Sequence, residues 1–303
     1  MGKILVAGQI YLDSSLLVDR FPIPYVPVNY AKFGMNIDLG GSAFFTAKAL
    51  SSLGDNIDLL SVISNDYLGK VIRERLKYDL IYDKYLVNIL KQTPTSLNMI
   101  DKIGNRQTYY DMKDVDDINY PIEYYEMAIK ECSIAILENT KFCAPFLERS
   151  KRHKKMIFTN FLTFSEREEE KNVLFFENSN VVFILGKLLS GKIEDWIDKI
   201  LNKYNVDIII VDMEEKGAYL AVKKDNFVER FPFVKVRDIV DNIGSNEALL
   251  SCFTHYYNRY LDPCDAIKKA ILFASYQRGE YGSTMGFLGE RELNNLYATI
   301  YQQ

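Results

Sequence analysis

The 303-residue sequence is poor in the residues that bind metals: it has two histidines and four cysteines, at positions 132, 143, 252 and 264. No two cysteines have the Cys-x-x-Cys spacing of a structural zinc site, so no such site is expected. No apolar run approaches the ~18–20 residues that a membrane span requires. The opening stretch, MGKILVAGQIYLD, reads as a first strand and not as a charged and then apolar leader. We therefore expect a cytoplasmic protein with reduced thiols and no membrane partner.

The sequence also lacks a concentration of positive charge. Its net charge is −4, and its lysines and arginines are spread along the chain. A nucleic-acid-binding protein should show a basic stripe, so no nucleic-acid partner is expected. With 48% hydrophobic residues, the chain is long enough to bury a substantial core.

Short apolar runs alternate with amphipathic segments along the sequence. This alternation predicts βαβ units, a mainly parallel sheet and a three-layer α/β/α domain over residues 1–303. The predicted strands are Ile4 to Ala7, Leu59 to Ile63, Ser133 to Leu137, Met156 to Phe161, Val181 to Leu185, Asp207 to Val211 and Val236 to Val240. The predicted helices are Ala43 to Leu53, Leu68 to Tyr78, Ala144 to His153, Ser165 to Glu177, Lys192 to Tyr204 and Ala248 to Tyr257.

Two segments break the alternation. Residues 14–39 contain three prolines without a helical period, and residues 95–112 read as two strands around Gly104-Asn105, a hairpin turn pair. We expect these segments to pair into a small β-sheet that forms a lid. The alternative is a pair of edge hairpins without function.

A glycine turn precedes the helix predicted over Ala248 to Tyr257. The stretch DNIGSNE, Asp241 to Glu247, separates this helix from the apolar run before it. A helix that begins at such a turn presents free N–H groups and the positive end of its dipole, and these favour an anion. The turn therefore predicts an anion site, and Glu247 is a candidate base or an ordinary acidic residue of the first helical turn.

Several short segments together resemble the ribokinase-like family, the PfkB-type carbohydrate kinases. They are VAGQIYLD, DLGGSAFFTAKALSSLG with SVISNDYLG, SIAILEN, DIIIVDMEEKGAYL and the DNIGSNE turn. The resemblance covers essentially the whole chain. It implies a ribokinase-like fold, an ATP-dependent kinase activity and a sugar or sugar-like substrate.

The resemblance implies a substrate-binding role for Asp13, Gly40, Gly41 and Glu138. Phe45 stands where the family has a substrate-binding asparagine. An aromatic ring cannot donate and accept hydrogen bonds as an amide does. Phe45 therefore either stacks on an unusual substrate or is a plain core residue.

At the nucleotide end, the resemblance implies roles for Lys187, Asp212, Gly217 and Asp241. Mg²⁺ is expected with ATP, although the family's Asn-x-x-Glu motif is replaced by residues 186–189, Gly-Lys-Leu-Leu. The metal ligands therefore remain unidentified. Glu214 also departs from the family, which has glycine at this position.

In the DNIGSNE turn, the resemblance implies that Gly244, Ser245 and Asn246 form the anion hole for the transferred phosphoryl group. Glu247 occupies the position of the catalytic base, one methylene longer than the family's aspartate. Asn246 replaces a glycine, and it is the non-glycine residue that best tolerates a left-handed backbone.

Three functions stay open at this point. The first is an active carbohydrate kinase, and the second is a catalytically impaired pseudokinase that binds ligands or serves as a scaffold. The third is a Rossmann-like dinucleotide enzyme, which the absence of Gly-x-Gly-x-x-Gly after the first strand disfavours. The resemblance also predicts a homodimer through the lid, with Phe21, Tyr25, Tyr30 and Phe33 in the interface.

Overall fold

The computed structural model describes residues 2–161, 164–280, 282 and 285–301. Its strands are β1 (Lys3–Ala7), β2 (Tyr11–Val18), β3 (Met35–Gly40), β4 (Ile57–Ile63), β5 (Tyr85–Asn88), β6 (Thr95–Asp101), β7 (Arg106–Asp111), β8 (Cys132–Glu138), β9 (Met156–Phe161), β10 (Val181–Leu185), β11 (Ile208–Asp212), β12 (Ala218–Val222) and β13 (Phe227–Phe231). Its α-helices are α1 (Ser42–Ser52), α2 (Tyr67–Tyr78), α3 (Ile122–Glu131), α4 (Ala144–Arg152), α5 (Glu169–Asn178), α6 (Ile193–Lys203), α7 (Ser245–Tyr260), α8 (Pro263–Gln277) and α9 (Glu290–Tyr301).

A nine-stranded sheet forms the centre of the fold, in the order β13-β12-β11-β10-β9-β8-β1-β4-β5. Between β11 and β5 in this order, every neighbouring pair of strands is parallel. At the other edge, β12 pairs antiparallel with β11, and β13 pairs antiparallel with β12. All residues of β4 and β11 are buried. Strands covered on both faces carry apolar residues without alternation, which is why these runs are hydrophobic throughout.

Alternate residues of each strand enter two separate hydrophobic clusters. Ile4 and Val6 of β1 pack with α1, α2, α7, α8 and α9 on one face. Leu5 and Ala7 pack with α3 to α6 on the other face. Side chains of a strand alternate between its two faces, so this division confirms the predicted three-layer arrangement.

A second, four-stranded sheet has the order β3-β2-β6-β7. The β6–β7 hairpin turns at Gly104, as predicted. The second sheet begins at Tyr11, before the predicted start of the lid segment at position 14. Only three residues separate the end of β1 from the start of β2. Since β3 ends immediately before α1, both connections place the second sheet at the carboxyl edge of the large sheet.

The prediction of a strand over Val236 to Val240 is wrong, because this segment forms no strand. The N–H groups of Val240 and Asp241 donate to the carbonyl of Arg278, and the N–H of Val236 donates to the Ser275 hydroxyl. The N–H groups at both ends of the segment are thus bound by the end of α8 and are not available to a neighbouring strand.

Other element boundaries differ by a few residues from the predictions. Helix α5 begins at Glu169 instead of Ser165, because Ser165 caps a short 3₁₀ turn before it. Strands β5, β12 and β13 and helices α3, α8 and α9 were not predicted. Within the described ranges, every helix is too short or too polar to cross a bilayer.

Candidate active site

Four strands of the large sheet have polar residues or glycine at their carboxyl ends, on one edge of the sheet. Gly8 follows β1, Glu138 ends β8, Asn160 lies near the end of β9, and Asp212 ends β11. The carboxyl ends of parallel strands form the usual ligand-binding edge of an α/β sheet. The second sheet and the first turn of α7 contribute the remaining residues of this edge.

Glu138 lies buried at the end of β8. The Gln9 N–H donates to its Oε2 at 2.8 Å, while Oε1 has no hydrogen-bond partner among the described residues. A Cβ atom on Gly8 would lie 2.1 Å from the carboxyl carbon of Glu138, so only glycine leaves room for this carboxyl group. Burial raises the pKa of Glu138 to about 8; the Gln9 N–H opposes this shift and the charge of Glu247 adds to it.

Helix α7 begins at a left-handed glycine. Gly244 has φ 79° and ψ 0°, a conformation that L-residues rarely adopt. The Asp241 carboxylate stabilises the turn by accepting from the N–H groups of Ile243 at 3.0 Å and Gly282 at 3.2 Å. The Ser245 hydroxyl donates to the Asn242 carbonyl at 3.0 Å. The first N–H groups of any α-helix lack acceptors within the helix, so this end presents donors.

Glu247 lies in the first turn of α7, with only 6% of its surface exposed. Burial raises the pKa of Glu247 to about 7, and its own backbone N–H and the Ser42 hydroxyl oppose the shift. The nearby charge of Asp212 raises this pKa further, whereas the charge of Arg106 lowers it. Since Ser42 begins α1, Asp212 ends β11 and Arg106 lies on β7, Glu247 faces inward between the large and the second sheet.

A buried polar network connects α1, β9 and α7. The Asn160 amide donates to the Ser42 hydroxyl at 3.3 Å, and its Oδ1 accepts from the Asn246 amide at 3.2 Å. The sequence analysis missed Asn160. Asn160 could have been identified from the sequence as a polar residue near the carboxyl end of a predicted buried strand.

Asp13 lies on β2 and faces the neighbouring strand β6. The Ser96 hydroxyl and the Asn98 amide donate to its carboxylate, the amide at 2.7 and 2.9 Å. Burial raises the pKa of Asp13, and these donors together with the charge of Arg106 oppose the shift. The pKa of Tyr11 is raised mainly by burial, but also by the charges of Asp13 and Glu138. Both carboxylates therefore lie near this one phenol.

The double glycine before α1 brings β3 close to its neighbours. A Cβ on Gly40 would lie 2.3 Å from the Tyr11 ring, and one on Gly41 would lie 2.2 Å from the Gln9 carbonyl oxygen. The Phe45 ring, in contrast, belongs to the buried core beside Phe44, with ring centroids 6.0 Å apart. This position agrees with the interpretation of Phe45 as a core residue.

A small cavity lies beside Gly217. Asp212 Oδ1 accepts from the Glu214 N–H at 2.8 Å, but the buried Oδ2 has no partner in the described chain. Arg278, only 2% exposed, lines the same cavity, and its Nε and Nη1 also lack partners there. The sequence analysis missed Arg278, because nothing in the local pattern at the end of α8 distinguishes it from a surface arginine.

Lys187 lies exposed on the 3₁₀ turn that follows β10. Mg²⁺ prefers oxygen ligands, and a lysine at the family's Asn-x-x-Glu position does not fit such a site. Within the described ranges, no three acidic, histidine or cysteine side chains converge on a metal position. Lys187 therefore remains a predicted phosphate contact.

Comparisons with known proteins agree with this architecture. The chain is 24% identical over 281 residues to the nucleoside kinase of Methanocaldococcus jannaschii, covering 86% of this chain and 85% of that protein. Its fold matches a microbiome-derived acarbose kinase with a TM-score of 0.87, 17% identity and coverage of 98% and 99% of the two chains. It also matches Arabidopsis thaliana ribokinase complexed with ribose and ATP, with a TM-score of 0.80, 13% identity and coverage of 97% and 98%.

The sequence matches the profile described as pfkB family carbohydrate kinase over residues 1–287, nearly its whole length. The three-layer core and the small second sheet are those of ribokinase-fold kinases. The chain therefore belongs to the pfkB family of carbohydrate kinases.

Proposed function

We propose that the protein transfers a phosphoryl group from ATP to a hydroxyl group of a sugar or sugar-like small molecule. The observation that carries this proposal is the position of Glu247. It lies buried in the first turn of α7, after the left-handed Gly244, and its charge contributes to the raised pKa of Glu138 at the end of β8. A carboxylate next to a helix N-terminus can deprotonate a hydroxyl group while the helix binds the phosphoryl oxygens.

The proposed base is suited to proton transfer near neutral pH. A general base is most effective when its pKa lies near the working pH, and burial raises the pKa of Glu247 to about 7. The carboxylate accepts the hydroxyl proton, and the hydroxyl oxygen attacks the terminal phosphorus of ATP while the bond from this phosphorus to the bridging oxygen breaks and ADP leaves. The backbone N–H groups of Ser245, Asn246 and Glu247 then stabilise the charge on the transferred group.

The acceptor is proposed to bind between the two sheets. Asp13 and Glu138 supply carboxyl groups from opposite sides, and Gly40 and Gly41 bring the backbone close to the ligand. Glu138 Oε1 is buried without a partner, so a hydroxyl group of the acceptor would satisfy an atom that otherwise carries a desolvation cost. This requirement favours a polyol over an apolar ligand.

The nucleotide is proposed to bind along the ends of β10 and β11, with Lys187, Asp212, Gly217 and Asp241 nearest to it. The unpartnered nitrogens of Arg278 beside Gly217 are donors that a phosphate or a ribose hydroxyl would satisfy. The ATP bound to the structurally similar Arabidopsis ribokinase supports this choice of donor.

The proposal is tested by measuring ADP release from ATP with a panel of pentoses, hexoses and nucleosides. We expect turnover with at least one acceptor.

Glu247→Gln should reduce kcat by roughly 10²-fold or more while leaving ATP affinity nearly unchanged, since the amide keeps the shape of the carboxylate but not its basicity. Glu229→Gln, an exposed change of the same kind on β13, serves as the matched control. ATP binding without any turnover would favour a pseudokinase instead, and the absence of both would contradict the proposal.

A further inference from the structure

A second acidic residue lies directly beside Asp13 on the second sheet. In the β2–β3 ladder Asp13 is paired with Asp38, so the two side chains point to the same face of the sheet. Residues paired in this way have Cβ atoms about 4.5–5.5 Å apart, and like charges at this spacing destabilise a sheet. Burial is the main cause of the raised pKa of Asp13, and the charge of Asp38 adds to it. The pairing is therefore unfavourable unless a positive charge lies near Asp38.

Arg75 supplies this positive charge from helix α2. Its Nη1 donates to Asp38 Oδ1 and forms an ion pair with that carboxylate. The same oxygen accepts from the N–H of Leu39 at 2.7 Å. A hydrogen bond between two charged groups is stronger than one between neutral groups. Arg75 and the backbone of Leu39 therefore hold the Asp38 carboxylate in place.

A buried carboxylate at the end of α2 orients Arg75. The Nε of Arg75 donates to Asp79 Oδ2 at 2.8 Å. The other oxygen of Asp79 accepts from Lys48 on α1, and the Asp79 side chain is only 2% exposed. Arginine presents its donors in a rigid planar fork, so a bond at Nε also fixes the direction of Nη1. The guanidinium is therefore positioned by α1 and α2 and not by the second sheet alone.

The other titratable or charged groups around Asp13 are Arg106 on β7, Tyr11 on β2 and, close to this phenol, Glu138 on β8. The charge of Arg106 lowers the pKa of Asp13. The pKa of Tyr11 is raised, mainly by burial, so the phenol stays neutral near neutral pH. Burial raises the pKa of Glu138 to about 8, so this group holds its proton at lower pH. Between pH 5 and 7, Asp38 is therefore the neighbour whose negative charge acts on Asp13.

We propose that Arg75 is a positioning residue for acceptor binding: it balances and holds the Asp38 carboxylate, so that the Asp13 carboxylate stays available to the hydroxyl groups of the acceptor. This inference rests on the proposed function, in which Asp13 binds the acceptor. An ionised carboxylate accepts hydrogen bonds at both oxygens, whereas its protonated form loses part of this capacity. Arg75 acts through Asp38 and needs no contact with either substrate.

The titration of Asp13 tests this coupling without turnover. Carbon-13 NMR of the side-chain carboxyl groups follows it, and Asp13→Asn assigns the signal. We expect Arg75→Gln to raise the pKa of Asp13, because the charge of Asp38 is no longer balanced, and Asp38→Asn to lower it. The double variant should return this pKa close to the wild-type value, since both charges of the pair are removed. An unchanged pKa of Asp13 in either single variant would overturn the proposal, so the test stands even if one of them fails to fold.

Arg73→Gln is the matched control. Arg73 lies on the same helix, its side chain is 28% exposed like that of Arg75, and it also pairs with an acidic residue, Asp83. Its guanidinium binds the β5 side of the large sheet, where it donates to the Leu86 carbonyl at 2.7 Å. We therefore expect Arg73→Gln to lower the midpoint of thermal unfolding but to leave the pKa of Asp13 unchanged. An equal change of this pKa in both arginine variants would contradict the proposal.

Steady-state kinetics with an acceptor that turns over supply a second readout. The acceptor KM should rise as the pH falls through the pKa of Asp13, and in Arg75→Gln this rise should begin at a higher pH. The ratio of acceptor KM between this variant and the wild type should grow from about 1 at pH 8 to roughly 3-fold or more at pH 5, since each pH unit corresponds to a tenfold change in protonation. The KM for ATP and kcat should change little.

A ratio of acceptor KM that does not depend on pH would contradict the role of Arg75. Should no acceptor turn over, the proposed function fails, while the NMR titration still decides whether Arg75 acts on Asp13 through Asp38.

Discussion

The side-chain amide of Asn246 donates to Oδ1 of Asn160 at 3.2 Å, across 86 positions of the sequence. This bond joins the first turn of α7 to the end of β9, and Asn160 continues the connection to Ser42 at the start of α1. The proposed phosphoryl site and the proposed acceptor site are thus connected through one buried amide. Asn246, which replaces a family glycine, uses its side chain to hold the helix end in place.

Asn160→Ala should lower stability and impair the site together. Removing the amide leaves Asn246 without a partner in a buried environment, which costs about 1–3 kcal/mol. We expect a lower midpoint of urea unfolding and at least a 10-fold loss of turnover, since a small displacement of the helix end misplaces Glu247. Asn295→Ala, at an exposed position of α9, is the control and should change neither quantity. Unchanged stability and turnover in Asn160→Ala would show that the network has no such role.

The pH dependence of kcat/KM should report the ionisation of Glu247. A base must be unprotonated to accept a proton, and burial raises the pKa of Glu247 to about 7. We therefore expect kcat/KM to rise tenfold per pH unit below about pH 6 and to level off above about pH 8. Glu247→Gln should abolish this dependence. A flat profile for the wild type between pH 5 and 8 would exclude Glu247 as the titrating base.

Stability should change with pH in the opposite direction to activity. Burial raises the folded-state pKa of Glu138 to about 8 and that of Glu247 to about 7, from 4.5. The folded protein then holds these protons more tightly than the unfolded chain, so this contribution to stability is fully present below about pH 4.5 and is lost as the pH rises through 7 to 8. Urea unfolding from pH 5 to 9 measures the loss, and the double change Glu138→Gln with Glu247→Gln should reduce it. An identical pH dependence in the double variant would contradict the assignment.

Gly8→Ala should disturb Glu138 specifically. The added Cβ would lie 2.1 Å from the carboxyl carbon of Glu138, a distance that forces this side chain or the backbone to move. Overpacking of this kind typically costs about 1–3 kcal/mol. The test is a double-mutant cycle on the free energy of unfolding, in which Gly8→Ala should cost much less when Glu138 is already Ala. If Gly8→Ala lowers the free energy of unfolding equally in both backgrounds, its effect does not arise from the contact with Glu138.

The segment before β3 should take part in self-association. Tyr25, Tyr30 and Phe33 are 91%, 93% and 92% exposed, and such a concentration of exposed aromatic side chains is typical of an interface. We expect a homodimer in sedimentation velocity, weakened by Tyr30→Ser combined with Phe33→Ser. Tyr82→Ser, which changes an exposed tyrosine outside this segment, should leave the dimer intact. A wild-type protein that stays monomeric at high concentration would contradict the prediction.

The sequence by itself determined the layered fold and the position of the glycine turn before α7. The buried strand β10 is a uniform apolar run that ends before Gly186, so local pattern locates it with the bounds observed. The predicted bounds of β9 also agree with the structure. Gly244 marks the start of α7 for an equally local reason, because the turn requires a left-handed residue. The run Val236 to Val240 shows the limit of such arguments. Its strand-like sequence does not reveal whether its backbone N–H groups will bind a neighbouring strand or the end of a helix.

Only the tertiary structure decided which polar side chains meet. Asn160 joins Ser42 and Asn246, and Arg278 lies buried beside Asp212, although each pair is far apart in sequence. These pairings depend on strand order, on the register of the second sheet and on the side of the large sheet that each helix covers. Local sequence carries none of these quantities, because they are set by how the layers pack. The same packing places the Phe45 ring in the core. The sequence had left open whether this ring packs in the core or stacks on a substrate.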